Sequence, residues 1–115
     1  MEKQRLISSY DVKNDTFVGK IDGKSRYCAD YNISDGIFLA IDEDRFPFSV
    51  FVDRASDVFD ISKRMLESAD VRIVLDCDVA FLNFSLFIEG LKICSFKSEN
   101  SYGMPKFNFC LDSNF

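Results

Sequence analysis

The segment from Val79 to Phe96 constrains the fold more than any other part of the chain. Its first half is apolar at alternate positions, with polar residues between several of them: Ala80, Leu82, Phe84, Leu86 and Ile88. Glu89 and Gly90 then interrupt the pattern and supply a turn, because Gly adopts positive φ at little steric cost. A second apolar run begins at Leu91. Two such runs around a two-residue turn predict a long antiparallel hairpin.

Short runs rich in β-branched and aromatic residues fill most of the remaining chain. Turn signals such as Asp22-Gly23 and Asp35-Gly36 separate them, since Asp and Gly favour tight turns. The strands predicted in this way span residues 16–21, 27–31, 37–41, 48–52, 71–75, 79–88, 91–96 and 106–111. Alternation within several of these runs indicates that each strand has a face that needs a core.

The segment from Arg54 to Asp70 follows a different period. Its small and apolar residues recur at steps of three and four: Ala55, Val58, Phe59, Ser62, Met65, Leu66 and Ala69. This spacing predicts one amphipathic helix, with Asp53 or Ser56 capping its start. The 115 residues are expected to form one α+β domain, a mainly antiparallel sheet of about eight short strands with the helix packed on one face.

Composition argues against several classes of function. The chain has no His, which excludes a His-based triad and a His-ligated metal. It has 14 basic and 19 acidic residues, a net charge of −5 and no basic stripe, so no nucleic-acid partner is expected. No apolar run approaches the roughly 18 residues of a membrane-spanning helix, so no membrane partner is expected either.

Four cysteines are spread widely along the chain, at Cys28, Cys77, Cys94 and Cys110. They form no C-x-x-C pair, and without His a mixed zinc site is not favoured. The sequence starts Met-Glu-Lys-Gln-Arg without an apolar leader, which predicts a cytoplasmic protein with reduced, buried thiols.

Carboxylates are the remaining candidates for chemistry. Asp42, Glu43 and Asp44 could bind a hard cation, but the run lacks the pattern of a calcium loop and fits a solvated hairpin tip better. A facing pair of carboxylates could support hydrolysis, although so short a chain has little material for a deep cleft. No catalytic, cofactor-binding or metal-binding residue is therefore assigned, and no cofactor is expected.

Two motifs carry a resemblance to a known family. Tyr10-Asp11 is followed by Asp15-Thr16-Phe17-Val18, and the residues from Gly36 to Ser56 form an acidic hairpin that ends in Ala55-Ser56. Over residues 8–66 the chain resembles a small uncharacterised bacterial and archaeal domain family with a Y-D-x-x-x-D strand and such a hairpin. That family usually has Gly after the acidic pair, where this chain has Arg45-Phe46-Pro47. The resemblance implies a compact β-rich unit with a helix after the hairpin, and no activity.

Several strands are apolar on both faces, which a single helix cannot cover. Phe51 lies opposite Val50 and Val52, while Phe81 and Phe87 lie opposite Phe84 and Leu86. The second face must be covered by the sheet folding on itself or by a second subunit.

This pattern favours a non-catalytic cytosolic interaction module that self-associates, most simply as a homodimer. Its C-terminal half is expected to supply the interface through Phe81 and Phe87. The alternatives are a small carboxylate-dependent hydrolase and a binder of a small apolar ligand inside a barrel-like curl of the sheet.

Overall fold

The computed structural model describes residues 2–23 and 26–115, which form nine strands and two short helices. In chain order the elements are β1 Glu2–Asp11, β2 Thr16–Ile21, β3 Tyr27–Ser34, β4 Ile37–Asp42, β5 Pro47–Val52, α1 Ala55–Phe59, α2 Lys63–Leu66, β6 Val71–Cys77, β7 Phe81–Ile88, β8 Leu91–Glu99 and β9 Phe107–Asp112. The coarse α+β assignment is confirmed. All eight predicted strands are present, and β7 pairs with β8 as the predicted long hairpin.

The nine strands form one sheet in the order β3-β4-β5-β2-β1-β9-β6-β7-β8. The sheet curls into a half-barrel, so its two edge strands, β3 and β8, come near each other. Tyr102, in the loop after β8, stacks on Tyr31 of β3 with ring centroids 3.7 Å apart. Its hydroxyl donates to the carbonyl of Asn32 at 3.2 Å. The sheet therefore folds on itself, and its concave face encloses the core.

The prediction of a mainly antiparallel sheet of about eight strands is wrong in the number of strands and in the type of sheet. The additional strand is β1, which pairs in parallel with β9 and makes the sheet mixed. Strand β1 escapes detection because Leu6 is its only buried residue, and its other inward positions are Gln4, Ser8 and Tyr10. Such a polar strand lacks the apolar alternation on which sequence reasoning depends.

The single helix predicted from Arg54 to Asp70 is also wrong, because the segment is broken into α1 and α2. Asp60 ends α1 in the left-handed conformation, with φ 54°. Ser62 then caps α2, its side chain accepting from the Met65 amide at 3.3 Å. The apolar positions still face the core at Ala55, Phe59 and Leu66.

The two helices lie at the end of the half-barrel where β1 ends and β2 begins. The Ala55 amide donates to the Asp15 carbonyl at 2.8 Å, and Nζ of Lys63 donates to the Val12 carbonyl at 3.2 Å. Phe59 of α1 contacts Phe17 of β2 edge to face and is parallel to the ring of Phe84 on β7, each with ring centroids 6.4 Å apart. These three side chains are almost completely buried. Phe59 thus links β2 and β7, on the two sides of the curled sheet, at the end of the half-barrel where β2 begins. The opposite end of the half-barrel lies near Ile21, where β2 ends.

Candidate functional site

The two motifs that carry the family resemblance meet in space. Tyr10 at the end of β1 donates its hydroxyl to Oδ1 of Asp15 at 2.6 Å. The Ser56 hydroxyl donates to Oδ2 of the same carboxylate at 2.6 Å, and the Ser56 amide donates to Oδ1 at 3.0 Å. Neither Asp53 nor Ser56 caps α1 with its own side chain. The start of α1 is held instead by Asp15, a residue distant in sequence.

The chemistry of this cluster is that of an anchor. Burial acts to raise the pKa of the Asp15 carboxyl, but the hydrogen bonds from Ser56 and Tyr10 outweigh it and hold the pKa below its ordinary value. Burial and the neighbouring Asp15 carboxylate raise the pKa of the Tyr10 hydroxyl. A general base works best with a pKa near the operating pH, so Asp15 is a weak base and Tyr10 a poor acid at neutral pH.

The acidic run Asp42 to Asp44 forms the turn between β4 and β5. Asp42 accepts through Oδ1 from the amides of Asp44 and Phe46, at 2.9 and 3.0 Å, and Glu43 pairs with Arg26 at 2.7 Å. Within residues 2–23 and 26–115, no group of three acidic or thiol side chains is arranged to hold a metal ion. Arg45, which follows the run, takes a φ of 68°, a left-handed conformation that Gly adopts with less strain.

The four thiols lie in different surroundings. Cys77 and Cys110 are buried, Cys94 is half-buried and Cys28 is exposed. Burial raises the pKa of the Cys77 and Cys94 thiols to about 11. Since the thiolate is the reactive form, neither group is a competent nucleophile at neutral pH.

The structure places Phe81 and Phe87 on the outer face of β7, each with a cation over its ring. The guanidinium of Arg72, directly across on β6, lies 4.5 Å from the Phe87 ring centroid. The ammonium of Lys97 on β8 lies 4.1 Å from the Phe81 ring centroid. Phe81 is 37% exposed, and Phe87 is half-buried. The sequence thus places both rings outward, but it does not reveal the cations that cover them.

A second outward aromatic group lies on the N-terminal half of the sheet. Phe38 of β4 pairs in register with Phe51 of β5, and Phe51 pairs with Val18 of β2. The two rings are 6.2 Å apart between centroids, and Phe51 is 41% exposed. We call Phe38, Phe51 and Val18 the apolar row. The described residues place no Lys or Arg over these rings within cation–π distance.

Next to the apolar row runs a second row with charges at its ends. Asp30 on β3 pairs with Ala40 on β4, which pairs with Ser49 on β5, which pairs with Lys20 on β2. Phe38, Ala40, Ser49 and Phe51 line a shallow apolar hollow beside Asp30. Sequence reasoning identified Phe51 as part of a two-sided strand but did not connect it with Phe38. The signal available was a Phe at an outward position in each of two consecutive strands.

No protein-family model, curated protein or solved structure matches this chain. The family resemblance over residues 8–66 therefore stays a prediction. Among the described residues, both helices are far too short to cross a membrane.

Proposed function

We propose that the protein is a non-catalytic interaction module of the cytosol that forms a homodimer through the outer face of β3, β4, β5 and β2. The observation that carries this proposal is the uncovered apolar row of Phe38, Phe51 and Val18. A contiguous apolar patch on a small domain usually marks a contact surface. The Phe81 and Phe87 surface is the rival interface and stays a prediction.

The arrangement of charges favours a second copy of this chain as the partner. A twofold axis parallel to the strands and between β4 and β5 places β4 of one copy over β5 of the other. Phe38 then faces Phe51 of the second copy, and Asp30 faces Lys20 of the second copy. Asp30 also accepts a hydrogen bond from Tyr27 at 3.3 Å. The face is therefore self-complementary in both its apolar and its charged residues.

The size of the face sets the expected affinity. Four strands about 4.8 Å apart and six residues with a rise of about 3.3 Å give a projected area of about 400 Å². Stable dimers commonly bury about 800 Å² per partner, so we expect a dissociation constant in the micromolar range.

The non-catalytic part of the proposal is supported by the carboxylates with perturbed pKa values. Hydrogen bonds from neighbouring residues are the largest influence that lowers the pKa values of Asp11, Asp15 and Asp78, and nearby Lys residues add to it for Asp15 and Asp78. None of these groups has the raised pKa of a carboxyl acting as a general acid. The hydrolase alternative therefore has the weaker support.

The test is sedimentation equilibrium from about 1 to about 500 μM protein. We expect the mass to rise from the 13.2 kDa of one chain toward twice that value. The double variant Phe38→Ser with Phe51→Ser should remain monomeric throughout. The matched control is Phe81→Ser with Phe87→Ser, which changes the same residue types on the other outer face and should dimerise normally. Dissociation of the control alone would transfer the interface to β7, and a wild-type monomer would reject the proposal.

The proposed symmetry has its own test. Asp30→Lys and Lys20→Asp should each weaken dimerisation, by about threefold, because each sets like charges opposite one another. The combined variant should recover the wild-type dissociation constant, since it exchanges the two charges. Failure of the pair to recover would contradict the twofold arrangement, even if the face itself is correct.

A further inference from the structure

A cavity lies at the end of the half-barrel opposite the helices. Its volume is about 320 Å³, within the range of small-molecule sites. Ile21, the last residue of β2, contributes to its wall, whereas α1 packs at the end where β2 begins. The cavity is thus separate from the apolar row and from the Asp15 anchor.

Aromatic rings form much of the cavity wall. Phe46 in the turn after β4, Phe48 on β5 and Phe109 on β9 all line it. The Phe46 ring centroid is 6.0 Å from that of Phe109, and Phe109 stacks on Phe107 at 4.6 Å. Aromatic faces grouped around a cavity are the means by which proteins hold organic cations, because the ring quadrupole attracts positive charge.

The polar groups of the cavity are acidic or neutral. Asp42, Glu2 and Gln4 contribute to its lining, and no Lys or Arg among the described residues does so. Among residues 2–23 and 26–115, the Asp42 side chain receives its two hydrogen bonds at Oδ1 and none at Oδ2. The Asp42 amide donates to the Phe46 carbonyl at 2.9 Å, which fixes the carboxylate and the Phe46 ring in one turn.

We propose that this cavity binds a small organic ammonium ion, with its charge between the Asp42 carboxylate and the rings of Phe46, Phe48 and Phe109. The apolar substituents of such an ion fit an aromatic wall, and the Asp42 and Glu2 carboxylates attract its charge. A neutral apolar molecule of the same shape gains only the apolar contacts. An anion meets repulsion from Asp42 and Glu2.

The test compares two probes of nearly equal shape, choline and its neutral carbon isostere 3,3-dimethylbutan-1-ol, by amide NMR titration of the wild-type protein. Choline should shift the amide signals of Phe46 and Phe109 with a millimolar dissociation constant. The neutral alcohol should bind about fivefold more weakly or worse. Equal binding of the two probes, or no shift of these signals at about 50 mM choline, would overturn the proposal.

Variants locate the site. Asp42→Asn retains the Oδ1 acceptor that holds the turn but removes the charge, and it should weaken choline binding about fivefold while leaving the alcohol unaffected. Asp44→Asn changes an exposed carboxylate in the same turn and should leave choline binding unchanged. Phe48→Leu should weaken choline binding about threefold. Should Phe48→Leu fail to fold, Asp42→Asn and the comparison of the two probes still test the site. An unchanged affinity of Asp42→Asn for choline would reject it.

Discussion

Strands β5 and β7 both present phenylalanine to the outside, but their neighbouring strands treat those rings differently. On the C-terminal half, Arg72 and Lys97 lie over Phe87 and Phe81. On the N-terminal half, the cross-strand neighbours of Phe51 are Phe38 and Val18. An outward aromatic residue therefore acquires its role from the residue opposite it on the next strand. A cation there supplies polar cover, whereas a second apolar residue extends the patch.

The N-terminal and C-terminal halves of the sheet are also stabilised by different contacts. The largest effect that we expect of any substitution tests this difference. In the N-terminal half, Asp15 joins the turn after β1 to the start of α1. We expect Asp15→Ala to lower the free energy of unfolding by about 2 kcal/mol, because three donated hydrogen bonds are lost. Part of the loss reflects the φ of 54° at this position. Chemical denaturation measures the change.

Asp11→Ala is the control for that variant. Asp11 also accepts three hydrogen bonds, from the Lys13 and Asn14 amides at 3.0 and 3.2 Å and from the Asn14 side-chain amide at 2.7 Å, but all three lie within a single exposed turn. Its loss should cost about 0.5 kcal/mol. Hydrogen exchange should show lost protection in α1 of Asp15→Ala while the β7–β8 hairpin stays protected. Equal destabilisation by the two variants would contradict the anchoring role of Asp15.

Lowering the pH should destabilise the region anchored by Asp15 before the C-terminal half of the sheet. Because the folded-state pKa of Asp15 is lowered, its contribution to stability is full well above the ordinary carboxyl pKa of about 3.9. That contribution declines as the pH falls from there through the lower folded-state pKa, where the folded carboxylate itself becomes protonated. Protection of the α1 amides should therefore decline in this acidic range before that of the amides in the middle of β6. The start of β7 is not a suitable reference, because Asp78, whose pKa is also lowered, accepts from the Ala80 and Phe81 amides there. Simultaneous loss in both regions would show that Asp15 does not control the local opening.

The next largest effect comes from copying the C-terminal arrangement onto the N-terminal face. Val18→Lys sets a cation directly opposite Phe51, as Arg72 stands opposite Phe87. We expect the dimer dissociation constant to rise about tenfold, since desolvating a Lys ammonium in the contact and losing apolar area both oppose association. Val18→Thr, which keeps the branched shape without charge, should have a much smaller effect. Sedimentation equilibrium distinguishes them, and an unchanged dissociation constant in Val18→Lys would place the interface elsewhere.

The smallest effect is expected from the reverse change on the C-terminal face. Arg72→Ala removes the cation from the Phe87 ring and should increase binding of a hydrophobic dye about twofold. The free energy of unfolding should fall by about 1 kcal/mol, the contribution expected of a cation–π pair whose two members are half-buried. Lys13→Ala, at an exposed position in the turn after β1, is the control, because it removes a cation that lies away from β7. Unchanged dye binding would mean that Arg72 does not act as cover.

Sequence reasoning succeeded where one strand carries its own signal. The alternation of β4, β6 and β7 is readable because each has buried side chains at every second position. It failed for β1, whose place in the middle of the sheet depends on backbone pairing with β2 and β9. It also missed the break at Asp60, because a helical stripe persists across it.

The candidate surfaces were harder to predict from the sequence, because they too depend on which strands pair and in which register. The outward positions of Phe81 and Phe87 follow from strand alternation, but their cover depends on the register between β6, β7 and β8. Likewise, Phe38 and Phe51 become neighbours only through the pairing of β4 with β5. The anchoring of Ser56 by Asp15 connects residues far apart in sequence, which no local pattern predicts.

The parallel pairing of β1 with β9 has a consequence for the order in which the molecule is made. Glu2 pairs with Phe109, and Arg5 pairs with Asp112, so the middle of the sheet joins opposite ends of the 115 residues. During synthesis, β1 emerges before β9 and must wait for it before this ladder can form. Hairpins such as β4–β5 and β7–β8 close early, whereas contacts between distant residues form slowly. The barrel core is therefore completed only after translation has passed Asp112.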